Sequence, residues 1–207
     1  TILPVTPYQQ NCSLVWDEAG RAALIDPGGE AGRLLAEVAQ RGLTLEKILL
    51  THGHLDHVGA AAELRDALGI PVIGPQRGET FWLDALPQQA EMFGFPPTPA
   101  LVPDHWLDDG DTVEVGSIRF DVLHCPGHTP GHVVFFERQA RLAFVGDVLF
   151  KGSIGRTDFP MGNHAALINA IREKLYPLGD DVRFVPGHGA MSTFGHEGPC
   201  APPAPHR

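Results

Sequence analysis

Apolar and β-branched positions come in short bursts through the first part of the chain, at residues 2–6, 11–16 and 21–26. Each burst is closed by turn formers such as Asp17, Gly20 and Pro27-Gly28-Gly29. Runs of this length between Gly, Pro and Asp predict strands, and the short spacing predicts an antiparallel opening. The period then changes. Across 31–40, Leu34, Leu35 and Val38 recur on one helical face while Arg33, Glu37 and Gln40 fall elsewhere, and Gly42 stands where a helix would stop. Residues 47–51 form a continuous apolar run that predicts a buried strand, and 58–68 predict a second helix. From 71 to 103 the pattern weakens into Pro, Gly, Gln and aromatic residues, with room for one short helix at 79–86; a mobile, partly ordered connection is expected. A second series of strands is predicted at 112–115, 118–123, 132–137 and 141–145, then a helix at 163–175 with Asn163 as N-cap and a last strand at 182–185. Two runs of strands, each followed by helices, predict an α+β fold of two sheets packed face to face with helices outside.

Length and composition narrow the class. The 207 residues suit one domain over 1–197, followed by a Pro-rich tail at 198–207 that is expected to be disordered. With 43% hydrophobic residues and no apolar run near the ~20 residues that cross a bilayer, no membrane partner is expected. The first residues have neither a basic start nor a long apolar stretch, so a cytoplasmic location is expected. Cys12, Cys125 and Cys200 are odd in number and widely separated, unlike a disulfide framework or a cysteine zinc site. A formal charge of -10 without any Lys/Arg cluster argues against a nucleic-acid partner, and leaves an anionic small molecule open if a few cations stand beside the reacting centre. No exposed apolar helix or heptad run marks an interface, which suits a monomer.

One loop changes the picture. Thr51-His52-Gly53-His54-Leu55-Asp56-His57 packs four potential ligands into six residues directly after a predicted strand. Imidazole and carboxylate donors suit zinc, iron or manganese, and they have no stabilising reason to crowd together without a cation. Four ligands do not complete a hydrolytic site with two ions. His128, in Cys125-Pro126-Gly127-His128-Thr129-Pro130-Gly131-His132, Asp147, and His188 after Pro186-Gly187 are the further candidates, each beside the end of an apolar strand. His132 and His124 are expected to support ligands rather than bind, and His105, His164, His196 and His206 to be surface or tail residues.

The series His52-x-His54-x-Asp56-His57, His128, Asp147 and His188 resembles the ligand series of the metallo-β-lactamase fold superfamily, across almost the whole chain. The resemblance implies a four-layer αββα sandwich of two mainly antiparallel sheets with outer helices. It also implies two divalent metal ions, zinc foremost, with iron or manganese as alternatives. His52, His54 and His128 would hold the first ion, Asp56, His57 and His188 the second, and Asp147 would bridge them. Asp56 would be the catalytic residue, and a hydroxide held between the ions would attack a carbonyl carbon.

The runs around these residues, including 146–159 and 185–193, resemble the small bacterial YcbL-type members of the glyoxalase II family. That resemblance implies a binuclear thioester hydrolase converting S-D-lactoylglutathione and water to D-lactate and glutathione. The substrate class is an anionic thioester, a glutathione conjugate, with Lys151 and Arg156 as substrate-binding cations. Asp147 stands where common two-zinc β-lactamases carry Cys, and Phe150 where lactone hydrolases of the superfamily carry Tyr. No counterpart of the basic C-terminal helical region of longer glyoxalase II enzymes is expected in these residues. Gly155-Arg156-Thr157-Asp158-Phe159 also resembles persulfide dioxygenases, which implies the alternative of one iron on His52, His128 and Asp147 oxidising glutathione persulfide. Intact Asp56, His57 and Gly187-His188-Gly189 favour the two-metal hydrolase.

Overall fold

The computed structural model describes residues 1–198, so the tail expected at 198–207 lies, from residue 199 on, outside the described residues. The opening bursts form β1 (Ile2–Val5), β2 (Gln10–Trp16) and β3 (Arg21–Ile25), joined by β4 (Thr44–Leu49) and the two-residue β5 (Val72–Ile73) in the order β1-β2-β3-β4-β5. A second sheet contains β6 (Thr112–Val115), β7 (Ile118–His124), β8 (Val133–Glu137) and β9 (Leu142–Gly146). After the small hairpin β10 (Leu149–Phe150) and β11 (Ser153–Ile154), it gains β12 (Arg183–Pro186) and β13 (Ser192–Thr193), in the order β13-β12-β9-β8-β7-β6.

Both sheets are mixed. In the first, β3–β4 and β4–β5 run parallel, so the expected antiparallel character holds only for its opening half. The parallel pairs follow from their connections: α1 (Ala31–Gln40) carries the chain back between β3 and β4, as a parallel crossover requires. In the second sheet only β9–β12 is parallel.

The two-residue period explains the layers. On β3, Ala22 and Leu24 pack under α1 with Leu34 and Val38, while Ala23 and Ile25 face the other sheet. On β8, Val133 and Phe135 join that inter-sheet core, with Phe120, Phe144 and Val185, and Val134 and Phe136 turn outward to Leu167 and Ile171. Strands apolar on both faces are what a four-layer sandwich demands. Burying one such Leu or Phe contributes about 1.5–3 kcal/mol.

Three predicted elements differ. The helix expected at 58–68 is two pieces, α2 (Leu55–Val58) and α3 (Ala61–Leu68). The break lies where the backbone meets the turn after β3: Ala60 N–H donates to Pro27 O at 3.0 Å, and a Cβ on Gly28 would stand 1.5 Å from Asp56 O. The connection at 71–103 is folded, as a 3₁₀ turn at Arg77–Glu79, α4 (Thr80–Asp84) and α5 (Leu86–Phe93). Its weak pattern hid this because each piece is short and is fixed by inward contacts of Glu79, Trp82, Leu83 and Gln89. The helix predicted at 163–175 keeps its cap, with Asn163 Oδ1 accepting from Ala166 N–H at 3.0 Å, but α6 (His164–Ala170) continues as a π-turn over Ile171–Leu175. The described chain ends in α7 (Phe194–Glu197). No helix of the described residues is long and apolar enough to cross a membrane.

Candidate metal centre

All the strands that carry candidate residues end at one edge of the sandwich. There β3 leads to Asp26, β4 to Thr51 and the His52–His57 loop, β9 to Asp147 and β12 to His188, while the loop before β8 carries His128 and His132. Backbone bonds stitch the two sheets at this edge: Val133 N–H to Thr51 O at 2.8 Å and Asn11 N–H to Gly187 O at 2.7 Å.

The seven side chains singled out in the sequence converge. His52 Nε2 and His128 Nε2 lie 3.2 and 3.1 Å from His54 Nδ1, and these three atoms make one potential ligand set. Asp56, His57 and His188 make another, with His188 Nε2 3.1 Å and His57 Nε2 3.9 Å from Asp56 Oδ2. Asp147 stands between: Oδ1 is 3.4 Å from His57 Nε2, and Oδ2 is 3.6 Å from His128 Nε2 and 3.9 Å from His188 Nε2.

The hydrogen bonds on the far side of each ring decide which nitrogen carries the proton. His128 Nδ1 faces the carbonyl of Arg156 at 2.8 Å and His188 Nδ1 that of Tyr8 at 3.1 Å, so both must donate there. His57 Nδ1 donates to Asp26 Oδ2 at 2.9 Å. Thr51 Oγ gives its proton to Asp26 Oδ2 at 2.6 Å, so its lone pair accepts from His52 Nδ1 at 3.0 Å. In the neutral rings, four Nε2 lone pairs therefore point inward, a donor arrangement that suits a cation. His57 Nε2 and Asp147 Oδ1, both buried, lack a well-formed hydrogen bond among the described residues. The donor set fits divalent ions.

Electrostatics divide the cluster. Burial, reinforced by neighbouring histidines, lowers His52 and His128 and takes His54 down to about 3. Burial also pulls on His57 and His188, but the carboxylates of Asp147 and Asp56 outweigh it and raise both. For Asp147, burial is overcome by His57, His128 and His188, which hold the carboxyl far below its ordinary value.

The two predicted substrate-binding residues are placed differently. Lys151 is exposed near the tip of the β10–β11 hairpin, with no side-chain partner among the described residues. Arg156 reaches the cluster through its carbonyl, while its guanidinium pairs with Asp158 at 2.8 Å and lies 4.4 Å from the Phe159 ring centroid. His132 is fully buried, stacks on His52 at 4.6 Å and accepts from Asp147 N–H at 3.0 Å, the supporting place expected of it. His124 donates to Pro130 O, outside the cluster. Cys125 is buried and its thiol is pushed by that burial up to about 12, which suits a packing role. His206 lies outside the described residues.

Sequence reading missed Asp26, Glu79 and Gln89. Asp26 joins both donor sets, accepting from Thr51 N–H at 2.7 Å, Thr51 Oγ and His57 Nδ1, with φ at 53°. Its signal was position: a carboxylate just past a strand, like Asp147. Glu79 and Gln89 hold backbone amides of the metal loop. No side-chain pattern advertises such a contact. Burial pushes the Glu79 carboxyl up to about 7 against the pull of Thr129 and of the Gly131 and Gly53 amides.

Residues 5–188 match the model of the metallo-beta-lactamase superfamily. The chain is 50% identical over 197 residues to hydroxyacylglutathione hydrolase GloC of Haemophilus influenzae, covering 95% of this chain and 93% of that one. Among solved structures it resembles BLEG-1, a B3 metallo-beta-lactamase, at 38% identity and a TM-score of 0.88 over 95% of both chains. It also resembles TTHA1623 in a di-iron-bound form, at 38% identity and a TM-score of 0.87 over 95% of this chain and 96% of that one. With this family match running from residue 5 through the loop after β4 and Asp147 to His188, the chain belongs to the metallo-beta-lactamase superfamily.

Proposed function

We propose that this metal-dependent hydrolase is a binuclear thioesterase of glyoxalase II type, a cytoplasmic enzyme acting on S-D-lactoylglutathione or a near relative of it. The observation that carries the reading is the pair of donor sets on either side of Asp147, with the far nitrogens of His52, His57, His128 and His188 bonded to acceptors. The half-identical GloC supports the glutathione thioester as substrate.

Bound there, two divalent ions, zinc foremost, supply Lewis acidity at the thioester carbonyl and an acidified water as nucleophile. The chain's own residues do the rest. His52, His54 and His128 would hold the first ion and Asp56, His57 and His188 the second, with Asp147 between the two sets available to both. Asp56 would serve as the catalytic carboxylate, with its Oδ2 3.1 Å from His188 Nε2 and 3.9 Å from His57 Nε2. Asp26 keeps His57 and, through Thr51, His52 in the ligating tautomer. Lys151 meets a carboxylate of the tripeptide. Arg156 joins it only by releasing Asp158.

Metal analysis combined with a thiol-release assay tests this. About two ions per chain and free thiol from S-D-lactoylglutathione are the expected result. Cleavage of a β-lactam without thioester cleavage would move the chain toward the activity in BLEG-1's name. The second reading, a one-iron persulfide dioxygenase, rests on Gly155–Phe159 and expects one iron and oxygen consumption with glutathione persulfide. His188→Ala separates the two: it lowers thioester hydrolysis by about 100-fold or more, whereas an iron site on His52, His128 and Asp147 would keep most of its activity.

A further inference from the structure

Two buried side chains from the folded connection reach the backbone on which His54 stands. Glu79 is fully buried, and its carboxylate oxygens accept from Gly53 N–H at 2.8 Å and Gly131 N–H at 2.7 Å. Gln89, also buried, accepts from Leu55 N–H at 3.0 Å and donates Nε2 to the carbonyl of Trp82 at 2.8 Å. The residues on both sides of His54 are therefore held from outside the loop. The same Glu79 carboxylate ties that loop to the one that carries His128.

We propose that Glu79 is a positioning residue for the three-histidine set: by bridging Gly53 and Gly131 it fixes the spacing between the two loops and so the convergence of His52, His54 and His128. The inference rests on the reading of this cluster as a metal site, and is independent of the substrate. A carboxylate is the group the place requires. Two amide donors from loops far apart in sequence converge on one buried point, and a carboxyl group offers two oxygens in one fork, whereas a carboxamide would turn an N–H toward one of the donors. Both amides belong to glycines whose missing side chains leave room for the approach. A Cβ on Gly53 would stand 3.1 Å from Glu79 Oε2 and one on Gly131 2.9 Å from Glu79 Cγ.

The test is zinc affinity. Metal-free wild type and Glu79→Gln are titrated with zinc against a chromophoric chelator, and ¹⁵N-histidine NMR assigns each binding step to its imidazoles. Affinity at the three-histidine set is expected to fall about 10–100-fold while the set of Asp56, His57 and His188 is unchanged. Arg77→Ala, on the same turn but directed at Trp106 with 5.2 Å to the ring centroid, is the control and keeps zinc affinity at both sets. Unchanged zinc affinity in Glu79→Gln overturns the proposal, and so does an equal fall at both sets, which would mark general destabilisation. If the glutamine variant does not fold, Glu79→Asp replaces it: the charge remains but the side chain is one methylene too short to span both amides. A fall of about 3- to 30-fold at the three-histidine set supports the role and unchanged affinity refutes it. Wild type that binds zinc yet leaves thioesters intact would remove the functional reading alone.

Discussion

His52 and His57 are equally buried, yet their environments drive their protons in opposite directions. His52 stands among other histidines, and the one outcome open to such a crowd is neutrality. His57 stands between Asp56 and Asp147, whose charge more than offsets the desolvation of an imidazolium. The difference teaches that burial alone does not prepare a metal site. Protons therefore compete less for the three-histidine set than for the second set, where an incoming ion meets the stronger competition.

The most disruptive way to break this contrast is to remove the carboxylate common to both sides. Asp147→Ala should reduce thioester hydrolysis by about 1000-fold or more and leave fewer than two ions bound, as read by steady-state kinetics and metal analysis of the same preparation. Two retained ions with near-normal turnover would show that the sets do not depend on a shared ligand. Next in size is Asp26→Asn. An amide cannot accept from Thr51 and His57 as the carboxylate does, and metal affinity should drop about 10–100-fold. The second set, which Asp26 touches directly through His57, should suffer more than the first, which it reaches through Thr51.

The smallest effect sharpens the contrast without mutation. His57 and His188 are raised, so protons compete harder for the second set as pH falls. His52, His54 and His128 are lowered, so protons compete less for them over the same range. Between pH 7.5 and 6 the second ion should weaken by about tenfold per pH unit while the first holds, measurable by chelator competition at each pH. Parallel loss of both ions would mean that the contrast has no bearing on loading.

What could be read from sequence follows the same physics. The strands were legible because sheets with two buried faces need short, nearly continuous apolar runs, and the ligands because His and Asp so dense in one loop have no role in a core. The break at Gly59 was not, since it comes from the approach of Gly28 to Asp56, a contact made only in three dimensions. The helix at Thr80–Asp84 falls inside the short one allowed at 79–86, but Leu86–Phe93 was read as connection, and the order of both comes from what Glu79 and Gln89 hold. Asp26 resembled any turn residue until Thr51 and His57 were seen on either side of it. Residues that bind were visible from their own chemistry; residues that hold the binders were visible only from their neighbours.

Near its rim the sandwich brings the two ends of the described chain together: Gln10 bridges to His188, and Asn11 Nδ2 donates to the carbonyls of Pro186 and Gly189. In polymer terms, an ion taken jointly by Asp56 and His188 would close a loop of more than a hundred residues. A cross-link of that span removes about 4–5 kcal/mol of freedom from the unfolded chain. Such an ion would be a clasp as well as a reagent, and chelation would loosen the whole molecule.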